Sequence, residues 1–154
     1  MLFHPDIAVN LLRNRLFQLP SYRLNAKSFN LSGAYIPLCV GGTGGFVSDN
    51  LINHIEIHTV GDTALFVKQA IQTLQNISLL QEHTIPLLEV ASDCVVSRIN
   101  RTDKHGTSSI KTVIGADEEN GVYDNDIYTN AVFVQALETT IHAAGKLGLT
   151  VDSS

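Results

Sequence analysis

The stretch Gly115-Ala116-Asp117-Glu118-Glu119-Asn120-Gly121-Val122-Tyr123-Asp124-Asn125-Asp126-Ile127-Tyr128-Thr129-Asn130 is an acidic loop that runs directly into a helix-period pattern. Ile127, Ala131, Val134, Leu137, Ile141 and Ala144 recur at steps of three and four, the spacing of one helix face, and Gly148 ends the run. Working outward, a helix is expected over about 84–99, with Pro86 in its first turn and Leu88, Ala91, Val95 and Ile99 as its core stripe. A long helix is expected over about 49–75, with Ile52, Ile55, Thr59, Ala64, Val67, Ile71 and Leu74 on its buried side. Gly61 lies inside it at a cost of ~1 kcal/mol relative to Ala, which points to close packing there. A first helix, 5–19, carries Ile7, Leu11 or Leu12, and Leu16, and Pro20 is expected to stop it. Ser21 can cap a second helix to about Asn30, with Tyr22, Ala26 and Phe29 on one face. Residues 100–109 read as a polar turn and 110–114 as one weak strand. Two long connections remain, 33–48 and 115–125, and loops of that length in compact domains are usually functional. The class that follows is all-α, an array of paired helices.

The chain has 154 residues, about one ordinary domain. Its hydrophobic fraction of 44% supports a packed core, while charged residues make up only 16% against a typical ~25%. So little charge suggests surface that another part of a larger protein covers. The net charge of -5, with no basic run, disfavours nucleic acid and anionic lipid as partners. No stretch approaches the ~20 apolar residues of a membrane span, and the first six residues lack the features of a signal peptide. Cys39 and Cys94 form no CxxC pair and fit either a reduced compartment or a disulfide-free secreted fold. Asn30, Asn76 and Asn100 head glycosylation sequons, a number close to chance among eleven asparagines.

Three motifs invite chemistry. His54 and His58 stand at i and i+4, a spacing that can hold a metal on one helix face, but no third ligand stands out. The more ordinary reading is a polar helix face lining a cleft. The glycines at 41–45 lack the Lys-Ser/Thr of a phosphate-binding loop and follow no strand. In the acidic loop, Asp117, Glu118, Glu119 and Asp124 cluster beside Asn125 and Asn130. Clustered carboxylates raise one another's pKa, one way to keep an acid protonated near neutrality, and the amides and Tyr128 offer hydrogen bonds to sugar hydroxyls. The ordinary reading is a solvated loop in which Asp124 or Asp126 caps the following helix.

The loop resembles the signature of glycoside hydrolase family 65, Gly/Ser-Pro-Asp-Glu-Tyr-His-x-x-Val-Asp/Asn-Asn-x-x-Tyr-Thr-Asn. The likeness holds at Asp117, Glu118, Asp124, Asn125, Tyr128, Thr129 and Asn130 without a gap. It continues at His4-Pro5, Ala8, Leu11, Arg13 and Arg15, at Asn25-Ala26, at Gly33-Ala34, and at Glu56-x-His58-x-x-Gly61-Asp62. It therefore spans about residues 1–148, leaving 149–154 as a C-terminal tail. The resemblance implies a partial (α/α)6 barrel, a helical hairpin array of about five of the ring's twelve helices. An open part-barrel exposes apolar surface, so the remainder of the barrel or a partner chain is expected to be needed.

The activity implied is inverting cleavage of an α-glucoside, such as a glucosylgalactosyl-hydroxylysine unit or trehalose, with no cofactor and no metal. Glu118 falls on the family's general acid. Asp117, Asn125, Tyr128, Asn130 and His58 are the implied substrate-binding residues. In inverting enzymes a second group activates water from the opposite side, with carboxyls ~6.5–9.5 Å apart. In the family's hydrolases that base comes from a more C-terminal segment, and in its disaccharide phosphorylases a bound phosphate takes its place. The sequence departs from the family where Phe-Pro-Trp-Glu-Ser lines the glucose subsite, since Ile36-Pro37-Leu38-Cys39-Val40 stands there. Ala116, Glu119 and Asn120 replace the loop's Pro, Tyr and His. The expectation is a piece of a longer α-glucosidase, inactive alone. The alternatives are a non-catalytic sugar binder or decayed family member, and a phosphorylase. Likeness to the animal branch favours a cytoplasmic setting, with a secreted or vacuolar one left open.

Overall fold

The computed structural model describes residues 4–47, 51–74, 78, 80–99 and 101–149. Two of the sequons, at Asn76 and Asn100, and residues 150–154 of the tail lie outside them. Among the described residues the fold is all-α, as the periodicity predicts. Helix α1 (Pro5–Ser28) is one helix where two were expected, with Pro20 in its interior. An interior proline costs ~3 kcal/mol through its missing N–H and the clash with the carbonyl four residues back. Packing overrides that cost. Leu12, Leu19, Tyr22 and Ala26 form one buried stripe that crosses Pro20. Ala8 and Leu12 take the inward positions, while Ile7 and Leu11 face out.

The expected helix over 49–75 is two: α2 (Leu51–Ile55) and α3 (His58–Leu74), interrupted at Glu56 and Ile57. Both interrupting side chains are buried. A π-helical turn (Leu80–Thr84) leads into α4 (Ile85–Arg98), which buries Leu88, Ala91 and Val95 as its pattern predicts. The polar stretch after it is a small hairpin, β1 (Arg101–Thr102) with β2 (Ser108–Ser109), turned by Asp103, whose Oδ1 accepts from the N–H groups of His105 and Thr107. Only Val113–Ile114 of the expected strand forms one, β3, paired antiparallel with β4 (Val122–Tyr123) inside the acidic loop.

Helix α5 (Ile127–Lys146) packs on α3 and α4, and α1 packs on the same pair. The face α5 buries is Thr129, Val132, Phe133, Ala136, Thr139, Ala143 and Ala144. Of the stripe read from its sequence only Ala144 is buried, and Ile127, Val134 and Ile141 are 85%, 53% and 57% exposed. The helix is apolar on two sides, and the side with small residues goes inward. The reason is the close approach to α3. A Cβ on Gly61 would sit 2.5 Å from Val132 Cγ2 and 2.8 Å from the Val132 carbonyl carbon.

The 33–47 loop is irregular and held down by buried amides. Gln18 Nε2 donates to the carbonyls of Gly41 and Gly42 (3.4 and 3.2 Å), and Asn25 Nδ2 donates to that of Gly44 (3.0 Å). The Tyr35 N–H donates to the Tyr22 carbonyl and the Ala34 N–H to that of Val90. These bonds satisfy loop backbone that has no ladder partner. No helix among the described residues is long and apolar enough to cross a membrane.

Substituting Gly61→Ala is expected to destabilise the fold by ~1–3 kcal/mol, the usual cost of overpacking. Urea unfolding should show a lower midpoint at unchanged slope, and an unmoved midpoint would refute the α3–α5 contact at this point.

Candidate active site

The acidic loop is fixed at both ends. Asn125 adopts φ +57°, a conformation Asn tolerates, and clamps Ile110 by two bonds. Its N–H donates to the Ile110 carbonyl (2.7 Å), and its Oδ1 accepts from the Ile110 N–H (2.9 Å). Asp124 accepts from Lys111 Nζ (2.9 Å) and from the Thr112 N–H (3.0 Å), which hold its carboxyl below the usual range, the lysine first. Asp126 caps α5 by accepting from the Thr129 N–H (2.7 Å), the ordinary capping role. Gly115 lies against that cap, where a Cβ would come within 2.5 Å of Asp126 Oδ1.

Between these anchors Glu118–Asn120 form one 3₁₀ turn. Asp117 caps it, accepting from the Glu119 N–H at 3.3 Å. Asp117, Asp124 and Asp126 thus hold backbone. Glu118 and Glu119 are exposed, and neither side chain makes a hydrogen bond or ion pair among the described residues.

Beside the loop lies a buried cluster. His58, 7% exposed, has both ring nitrogens engaged: Nδ1 lies 2.7 Å from Asp62 Oδ2 and Nε2 lies 2.7 Å from Glu56 Oε1. The Tyr128 hydroxyl donates to Asp62 Oδ1 (2.8 Å), and its ring meets that of His58 edge-on at 5.3 Å. The break before α3 makes this possible, since residues two apart on a helix do not face each other and Glu56 must reach His58. Burial by itself would lower the His58 pKa, but the hydrogen bonds to Asp62 and Glu56 outweigh it and the imidazole is raised. Burial raises Glu56, opposed by the His58 bond and reinforced by the charges of Glu118 and Asp62. Glu56 Oε2, Thr129 Oγ1 and Asn130 Oδ1 are buried without a protein partner.

Of the residues singled out from the sequence, Tyr128 and His58 come together through Asp62, and Glu118 lies near enough for its charge to act on Glu56. Asn125 and Asp117 are committed to loop geometry. Glu56 and Asp62 were legible only as parts of a motif. Their role has no signal in spacing, because the helix break that unites them has none. The reading of His54 and His58 as one polar helix face lining a cleft is overturned. The helix stops between them, and His54 packs its ring against Phe29 and Phe46.

Helices paired in this order form an open part of an (α/α) barrel. A solved human-microbiome protein, provisionally named kojibiose phosphorylase, has the same fold: the TM-score is 0.87 over 96% of this chain and 22% of that one, at 17% identity. The glycosyl hydrolase family 65 central catalytic domain matches residues 1–153, and the chain belongs to that family. A kojibiose hydrolase from Flavobacterium johnsoniae is 29% identical over 97% of this chain. A protein-glucosylgalactosylhydroxylysine glucosidase from Gallus gallus is 29% identical over 89% of it. The chain spans about a fifth of the length of these relatives, 22% and 20%.

The raised His58 pKa sets a direction for stability. The folded state holds this proton more tightly than an exposed imidazole of pKa ~6.5 does. The contribution is therefore full below about pH 6.5 and is lost as pH rises through the folded value. Urea midpoints should fall as pH rises above about 6.5, and His58→Gln should flatten that slope while lowering the midpoint at the acid end. A slope that His58→Gln retains would mean another group carries it.

Proposed function

We propose that this chain supplies the acid side of an inverting α-glucosidase site, with Glu118 protonating the departing glycosidic oxygen. The observation that carries this reading is the division of labour among the loop carboxylates. Asp117, Asp124 and Asp126 hold backbone, and Glu118 stands uncommitted on a capped turn. A general acid needs that arrangement: a carboxyl free to move a proton on a support that fixes its position. The buried Glu56–His58–Asp62 cluster supports the same reading, because Tyr128 joins it to the first turn after the loop. In this reading His58 positions the site through Asp62 and Glu56 and does not touch sugar, while Asn130 and Thr129 have buried oxygens without protein partners. Residues 1–148 are the corresponding part of the catalytic domain. The substrate is an α-glucoside, in keeping with the names of the two hydrolases to which the chain is similar. The base is assigned to a part of the site outside these residues, and the rest of the barrel is the partner this reading requires.

A second reading, a sugar binder without turnover, is favoured by one observation. Leu38 and the exposed Cys39 stand where family members carry an aromatic face and a carboxylate for glucose.

In the complete enzyme, Glu118→Gln is expected to lower α-glucoside cleavage by ~10²–10⁴-fold, and Glu119→Gln by far less. An aryl glucoside whose leaving group needs no proton should recover most of the Glu118→Gln loss. Cleavage of a natural disaccharide that is indifferent to Glu118→Gln ends the catalytic reading.

A further inference from the structure

Among the described residues, Asn30, Thr112 and Asn125 have a positive φ without being glycine, and they are not alike. Asparagine tolerates the left-handed region, whereas Thr112, at φ +56°, is β-branched and fits it poorly. Such a residue stays there only where its surroundings hold it, and positions of this kind gather at functional sites. Both backbone polar groups of Thr112 meet a charged side chain. Its N–H donates to Asp124 Oδ1 (3.0 Å). Its carbonyl accepts from Arg98 Nη2 (3.1 Å), which also donates to the Lys111 carbonyl (2.6 Å). Lys111 Nζ pairs with Asp124 Oδ2 (2.9 Å) and completes the set.

The place of these bonds in the fold gives them reach. Arg98 is the last residue of α4, and Lys111 and Thr112 stand at the foot of the β3–β4 hairpin that carries the acidic turn. The returning leg of the hairpin closes on the same foot, through the Asn125 clamp on Ile110 and the Asp124 bond to Thr112. Val113 and Ile114 are buried, so the foot is attached to the core without Arg98. Their burial does not set the φ of the residue before them. A change of φ at Thr112 would break its bond to Asp124 and re-aim the leg that leads to Glu118.

We propose that Arg98 is a positioning residue for Glu118: by holding the Lys111 and Thr112 carbonyls it keeps Thr112 left-handed and so fixes the direction in which the hairpin presents the acidic turn. Its hold on the loop rests on the bonds above, and its consequence for chemistry rests on the acid reading of Glu118.

Hydrogen exchange of the 154-residue chain tests the hold on the loop. Arg98→Met is expected to speed exchange of the amides at 113–123 by ~10-fold, about the loss of one charge-assisted hydrogen bond, and to leave those of α3 and α5 as they were. Adding Thr112→Gly, which enters the left-handed region without steric cost, should return most of that protection. A merely structural role for Arg98 would not be rescued in this way. Exchange that Arg98→Met leaves unchanged, or that Thr112→Gly does not bring back, overturns the proposal. If circular dichroism shows Arg98→Met unfolded, Arg98→Lys decides. It keeps the charge on an unforked side chain and should show a smaller increase that Thr112→Gly again removes, and unchanged exchange there overturns the proposal as well.

In the complete enzyme, Arg98→Met should lower kcat for a natural disaccharide by ~10-fold with KM little moved. It should hardly slow an aryl glucoside whose leaving group needs no proton, because only protonation depends on where Glu118 stands. Equal losses on the two substrates overturn the positioning role. Cleavage indifferent to Glu118→Gln ends the acid reading instead, and leaves the exchange results and the hold of Arg98 on the loop standing.

Discussion

Asp62 is the joint of this molecule. One oxygen holds His58 at the start of its own helix, and the other accepts the Tyr128 hydroxyl from the first turn of α5. Two helices that approach closely near their N-terminal ends, through Gly61 and Val132, are thereby tied at the end that carries the acidic loop. The tie is possible only because α3 begins at His58. Were the helix continuous from Leu51, Glu56 would lie on another face, and His58 would confront one carboxylate instead of two. Burying an imidazole is unfavourable to its charged form, and here two hydrogen-bonded carboxylates reverse the balance. Removing His58 leaves the buried Glu56 without that partner, which is typically worse than the intact pair is good.

The helical class was legible because packing and periodicity agree over most of α3 and α4. Leu88, Ala91, Val95, Ala64 and Val67 are inside, where their spacing puts them. Three misreadings have physical causes. Pro20 signals a stop, yet the stripe from Leu12 to Ala26 continues across it and prevails over local propensity. Glu56 and Ile57 signal nothing, because their break serves a contact between side chains close in sequence. On α5 the larger residues Ile127, Val134 and Ile141 make the stronger periodic signal, but close approach to Gly61 selects the face with Ala136 and Ala143. Hydrophobic periodicity reports that a face is apolar, not which neighbour it meets.

The candidate site was legible to a different degree at each residue. The loop motif located Glu118 and its neighbours, and the bond pattern then distinguished them. Asn125, a plausible sugar contact by chemistry, closes a two-bond clamp on Ile110. His58, a plausible ligand by spacing, is enclosed by carboxylates. A sequence shows the donors and acceptors in a loop but not which are already used, and that is decided by partners at 110–112, 56 and 62.

The same distinction bears on how the loop presents an acid. A flexible acidic loop would scatter its carboxyls over many positions and gain nothing from the crowding. Here the lysine on Asp124, the N-cap at Asp126 and the clamp at Asn125 fix three backbone points within three consecutive residues. The β3–β4 pairing fixes Val122 and Tyr123 just before them, and the Asp117 cap closes the turn from its other side. Glu118 is therefore carried on a short arm of defined geometry although it is exposed to solvent. Position is what a general acid cannot supply for itself, since a proton moves usefully only across hydrogen-bond distance. The charge of Glu118 adds to the upward shift that burial gives the Glu56 carboxyl, so the cluster and the arm are not electrically independent.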